Sequence, residues 1–95
     1  MKYEYHRLSP EFIQAIAEHI GKNVSKYPDI DGKVNWKTAN PKDKQQLLNS
    51  LFRHFNAIMK GELIDEESGS PHIIAVAANA MMVYYEEYCK CDGRS

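Results

Sequence analysis

Two histidines, two lysines, an asparagine and a run of carboxylates are the residues whose types and spacing could do chemistry in this chain. His54 lies in a stretch whose apolar residues recur at helical spacing. At ~100° per residue it points within about 20° of Leu47, at the rim of the apolar stripe. An imidazole there is either a core group whose ring nitrogens find partners or a ligand for a bound molecule. His72 follows Ser70-Pro71 in the first turn of the next helix. Free backbone N–H groups and the helix dipole attract an anion at such a point, and the rival role for His72 is simply to decorate that end. Asn79 falls in nearly the same direction as His72 and sits inside an apolar helix, where its amide needs a neighbouring helix or a ligand as partner. Two consecutive antiparallel helices could therefore present His54, His72 and Asn79 to a common space. Lys22 and Lys26 share a helix face and, with Tyr27, could reach phosphates, although such residues are usually solvated surface. Trp36 is more readily a loop anchor than a platform for stacking a base.

The carboxylates are Glu62, Asp65, Glu66 and Glu67 in a loop, and Glu86 and Glu87 late in the last helix. A loop cluster of this kind is usually a solvated charge run. A Mg²⁺ site for splitting a nucleoside triphosphate needs several oxygen ligands aimed at one point. The middle turns of the second and third helices supply none.

The elements that must position these groups are marked by three proline pairs: Ser9-Pro10, Asn40-Pro41 and Ser70-Pro71. In each, a capping side chain precedes a proline whose missing N–H does no harm at the first helical position. The spacing predicts helices over about 10–26, 41–61 and 71–88. The first should bury Phe12, Ile13, Ile16, Ala17, Ile20 and Val24. The second carries Leu47, Leu48, Leu51, Phe52, Phe55, Ile58 and Met59 within an arc of roughly 140°, and is expected to pack along its whole length. Beside His54 on it stand Ser50, Ala57 and Gly61, small residues that leave room for a neighbouring helix or a ligand. The third, HIIAVAANAMMVYYEEY, is apolar almost all round, so one face should meet the other helices and another needs a partner. The fold expected is a single all-α domain of three main helices, its bundle completed by homo-oligomerisation. A chain of 95 residues buries a smaller share of its surface than a larger one, and self-association helps.

The bulk composition narrows the classes. Lys+Arg 12 against Asp+Glu 13 leaves a net charge of -1, which gives no reason to expect bulk nucleic-acid or membrane binding. MKYEYHRLSP has no apolar leader core and no run is long enough to span a bilayer, so a cytoplasmic protein is expected. Cys89 and Cys91 alone make neither a disulfide framework nor a four-ligand zinc site, and free thiols are expected.

The Lys26-Tyr27 pair, Trp36, Arg53-His54, Gly61-Glu62 with Asp65 and Glu67-Ser68-Gly69, then Pro71-His72 and Asn79, form a pattern from about Leu8 to Glu86. That pattern resembles small phage and prophage proteins of the dATP/dGTP diphosphohydrolase N-terminal family. The resemblance implies a helical fold related to the MazG-like nucleotide pyrophosphatases, oligomers that lodge a nucleotide between helices and hold Mg²⁺ with glutamates and aspartates. Carried over by position, Arg53, His54, Glu62, Asp65, His72 and Asn79 would be the functional set. Two departures stand out. The family often has a second histidine one turn after the one matched by His72, where this chain has Ala75. The paired glutamates of one MazG-like helix and the Glu-x-x-Asp of the next are missing.

The reading that follows is a phage-type nucleotide-binding protein in the host cytoplasm. It would grip phosphates with Lys22, Lys26, Arg53, His54 and His72, with Tyr27, Trp36 and Asn79 completing the pocket. It would need no cofactor and would sequester a nucleotide or nucleotide-derived signal, as an anti-defence protein does. The alternative is a Mg²⁺-dependent dATP/dGTP pyrophosphohydrolase, with Glu62, Asp65 and Glu67 on the metal and His54 or His72 orienting water. A third reading is a structural interaction module whose histidines are core.

Overall fold

The computed structural model describes residues 3–24, 28–29, 31–34 and 44–89. Within them the chain is helical: a 3₁₀ turn at Tyr5–Arg7, then α1 (Pro10–Lys22), α2 (Lys44–Met59) and α3 (His72–Tyr84), which runs on into a π-helical turn over Tyr85–Cys89. An isolated antiparallel bridge joins Ile64 to Pro71. No helix among the described residues is long and apolar enough to cross a membrane. Lys26, Tyr27, Trp36, Asn40, Pro41 and Cys91 lie outside the described residues.

Helix α1 starts as its sequence asks. Ser9 is the N-cap, its Oγ accepts from the Phe12 amide at 3.1 Å, and Pro10 takes the first helical position. The helix ends at Lys22, short of the expected 26. Asn23 leaves the helical conformation and donates its side-chain amide to the His19 carbonyl at 3.1 Å, so it satisfies one of the orphan acceptors there. At α3 the expected cap is replaced. Pro71 is the N-cap with no side-chain bond, and the His72 amide donates to the Leu63 carbonyl at 2.8 Å. Ser70 is free to turn its hydroxyl toward α1.

Helix α2 stops in a Schellman motif. The Glu62 amide reaches the Ala57 carbonyl at 3.0 Å and the Gly61 amide reaches Ile58 at 2.9 Å, with Gly61 at φ 90°. Nothing lies within 4 Å of where a Cβ on Gly61 would sit. Gly61 therefore serves backbone conformation, not the close approach of a neighbour expected from its size.

Helix α3 is central: it packs against α2 most extensively and against α1 to a lesser extent. Among the described residues, the buried apolar ones are Leu47, Ile74, Ala75 and Ala78. This is a thin core, and it corrects two expectations. No residue of α1 is fully buried, with Ile16 and Ile20 half-buried and Ile13 at 51% exposure. On α2 the apolar arc splits into two flanks. Leu47, Leu51, His54 and Ile58 lie within about 60° of one another at ~100° per residue, and these are the buried and half-buried positions. Leu48, Phe52, Phe55 and Met59 form the other flank and are exposed, Phe52 at 68% and Met59 at 70%. Among the described residues, exposed apolar surface thus lies on α2 as well as on α3, where Ile73, Met81 and Tyr84 are exposed as the sequence led one to expect.

Two glycines should respond with opposite signs. Gly61→Ala places a Cβ in the left-handed region and is expected to lower stability by about 1–2 kcal/mol. Gly21→Ala sits inside α1 with open space around it, and should raise stability by about 0.5–1 kcal/mol. Denaturant titrations of the two variants against the parent chain check both.

Candidate functional site

The site is built where α2, the loop after it and the first turn of α3 converge. His54 and His72 are each 5% exposed, and their Nδ1 atoms stand 2.8 Å apart, with ring centroids at 5.1 Å. The Arg53 guanidinium lies 3.3 Å from His54 Nε2. A guanidinium can only donate, so His54 Nε2 accepts. With a single ring proton, His54 carries it on Nδ1 and donates to Nδ1 of His72, which leaves the His72 proton on Nε2. The tautomers are assigned from this hydrogen-bond chain. Burial pushes the His54 pKa below its ordinary value, and the Arg53 charge adds to that.

The loop brings the carboxylates in. Gly69, at φ 75°, lets the segment turn back on itself: the Gly69 amide donates to the Asp65 carbonyl at 2.7 Å and the Asp65 amide to Ser70 at 2.8 Å. The Asp65 carboxylate accepts from the Ser68 hydroxyl at 2.8 Å and the Ser68 amide at 3.3 Å. Burial alone would raise the Asp65 pKa, but the hydrogen bonds from Ser68 and from the Glu67 amide, with His54 nearby, hold it below the usual carboxylate value. His54, Asp65 and His72 each offer a ligand atom, and these atoms all lie within 4.8 Å of one another. Beside them opens a cavity of about 580 Å³ lined by Arg53, Asn56, Lys60, Glu62, Asp65, Glu66 and His72 among others. That volume suits a small-molecule ligand.

The other candidates are placed elsewhere. Asn79 donates to the Ser50 hydroxyl at 3.2 Å, a bond between α3 and α2. It lies about 10 Å further along α3 than His72 at 1.5 Å per residue, so it does not share the histidines' space. Lys22 reaches the Ser70 hydroxyl at 3.3 Å and the Ser68 carbonyl at 3.4 Å and does not line the cavity. Glu62 and Asp65 line the cavity together with Glu66, whereas Glu67 is not among its lining residues.

Sequence reasoning passed over several groups. Asn56 and Lys60 share the Arg53 face of α2 at spacings of three and seven, a signal that could have found them. The tie between His19 Nδ1 and the buried Ser70 hydroxyl, 3.0 Å across 51 residues of chain, has no such signal.

The family model described as dATP/dGTP diphosphohydrolase, N-terminal, matches residues 1–93. The chain belongs to that family. No curated protein and no solved structure matches it. For a member of the dATP/dGTP diphosphohydrolase N-terminal family, the match spans every residue of the site, from Arg53 to His72.

The pH dependence of stability follows from the two histidines held low. Burial lowers the His19 pKa as it does that of His54, with Lys22 contributing. Each favours the neutral ring in the folded state, so its contribution is present above the ordinary value of 6.5 and is lost as pH falls toward the folded pKa. Melting temperature should fall between about pH 7.5 and about pH 5.5, and the fall should be shallower in His54→Gln. Thermal melts at a series of pH values check this. A flat profile in the parent chain would contradict it.

Proposed function

We propose that this chain binds a nucleotide through its phosphates in the cavity between α2 and the α2–α3 loop, and holds it without turnover. The observation that carries the reading is the convergence of Arg53, Lys60 and His72 on one cavity in a chain of a nucleotide-hydrolase family. Arg53 offers a planar fork of donors and Lys60 a mobile point charge, the two kinds of group that grip phosphate oxygens. His72, with its Nδ1 engaged by His54, lines the same cavity. Neither α2 nor α3 carries an Asp or Glu, which supports holding over splitting. The use proposed for such holding is removal of a nucleotide-derived signal, in a phage-encoded protein acting in its host's cytoplasm. A second reading, pyrophosphohydrolysis of dATP or dGTP, is favoured by Glu62, Asp65 and Glu66 at the cavity wall.

Calorimetry with dATP, dGTP and cyclic or ADP-ribose-type nucleotides tests the site. Arg53→Ala or Lys60→Ala should each weaken binding by about 1.5–3 kcal/mol, roughly ten- to a hundred-fold, with helicity unchanged. Ligand recovered intact after heat release supports holding, and monophosphate plus pyrophosphate supports the second reading. Unchanged affinity in both variants would remove the cavity from consideration.

We also propose that the protein works as a homo-oligomer sealed along the exposed flank of α2. Leu48, Phe52, Phe55 and Met59 present a contiguous apolar face that a thin-cored chain gains by covering. Light scattering should return a mass above the 10.9 kDa of one chain, and Phe52→Asp should reduce it toward that value. A monomeric parent chain would refute the oligomer.

A further inference from the structure

We infer that His54, Asp65 and His72 form a site for one divalent transition-metal ion, with its remaining coordination positions open to the cavity. The three donors come from α2, the loop and the first turn of α3. The fold therefore assembles them across chain that has no local reason to bring them together. Two buried imidazoles with facing Nδ1 atoms 2.8 Å apart cannot both aim lone pairs at each other. The His54 proton bridges them in the metal-free chain; with that proton displaced, both lone pairs need a cation bound to one side of the line between them, and the Asp65 carboxylate supplies the negative charge that the cation would need.

The donor set decides the class of ion. Two imidazoles and one carboxylate suit manganese, iron, cobalt, nickel or zinc, whereas Mg²⁺ prefers oxygen ligands and keeps its waters. The Mg²⁺ set expected from the sequence, Glu62, Asp65 and Glu67, is not the set that converges: among the described residues, Asp65 groups with the two histidines. With metal–nitrogen bonds of about 2.1 Å, neighbouring ligands of an octahedral ion lie roughly 3.0 Å apart and those of a tetrahedral ion roughly 3.4 Å. The observed 2.8 Å is the hydrogen bond of the metal-free rings, which need part by only a few tenths of an ångström to admit an ion of either geometry. Three protein ligands on an octahedral ion leave three positions, and His72 and Asp65 both line the cavity those positions would face.

Coordination also has a consequence for Arg53. A metal on Nδ1 of His54 moves that ring's proton to Nε2, and the Arg53 guanidinium can no longer donate there. Arg53 is exposed, so it can swing away, and it already borders the cavity.

The test is a metal titration of the full chain, stripped with EDTA and free of nucleotide. Calorimetry with Mn²⁺, Co²⁺ and Zn²⁺ should give one ion per chain, and Mg²⁺ should bind at least about tenfold more weakly. His72→Gln and Asp65→Asn should each reduce affinity about tenfold or more, since loss of even an outer-sphere partner costs about ten- to a hundred-fold. Cys89→Ser with Cys91→Ser should change nothing. Because the histidine variants could lose their fold, the parent chain carries a second readout: substoichiometric Mn²⁺ should broaden the ring resonances of His54 and His72 before that of His6. Equal affinity for Mg²⁺, undiminished binding in folded variants, or broadening confined to His6 would overturn the site. Nucleotide binding measured in EDTA reports on the phosphate cavity separately. Metal uptake without nucleotide binding would leave this inference standing and the proposed function refuted, and the converse would do the opposite.

Discussion

The bond between His54 and His72 is the contact on which the rest of the molecule depends. It is polar and buried, it joins the middle of α2 to the first turn of α3, and few apolar residues among those described are buried beside it. A buried imidazole without a partner costs on the order of 1–3 kcal/mol, so the pair tolerates little sliding of one helix along the other. That register in turn fixes where the loop must close. Glu62 leaves α2 through the Schellman turn, Asp65 is pinned by Ser68, and the His72 amide is taken by Leu63. The cavity is the space these constraints leave.

Small-core chains normally avoid burying two titratable rings, because the polar atoms must be satisfied inside a site that contributes little apolar area. Here Arg53 and Asp65 border the pair with opposite charges, and their effects on the His54 proton partly cancel. The cavity wall carries both signs, with Arg53 and Lys60 beside Glu62, Asp65 and Glu66. A wall of this kind suits a ligand that is itself anionic but arrives with a counter-cation.

Much of this arrangement was legible in the sequence. The Ser9-Pro10 start, the helical period of α2 and the place of His72 in the first turn of α3 all follow from local spacing, whereas α1 stops at Lys22 instead of running to about 26 and His54 is buried instead of lying at a rim. The family pattern was legible as well, from residues such as Arg53-His54 and Pro71-His72. Side-chain direction across elements was not. A helical stripe of roughly 140° says how much apolar surface exists, and not which half of it a neighbouring helix will cover. The carboxylates read as a solvated run because their convergence depends on Gly69 and on the Asp65–Ser68 bonds, which no period announces. Ser70 looked like a cap and became a partner for His19 because Pro71 took the capping position instead.

The placement of α3 between the other two helices also favours an order of assembly. The α2–α3 hairpin closes over the 18 residues from His54 to His72, whereas α1 is fastened to the loop by His19 and Ser70 across 51. Closing the longer span costs about 0.9 kcal/mol more in chain entropy. Local contacts are reached sooner than distant ones, which favours closure of the hairpin over the docking of α1. The histidine pair lies wholly within the hairpin, whereas α1 is joined to the pocket's loop through His19, Lys22 and the buried Ser70, so a change in α1 reaches the pocket through that serine.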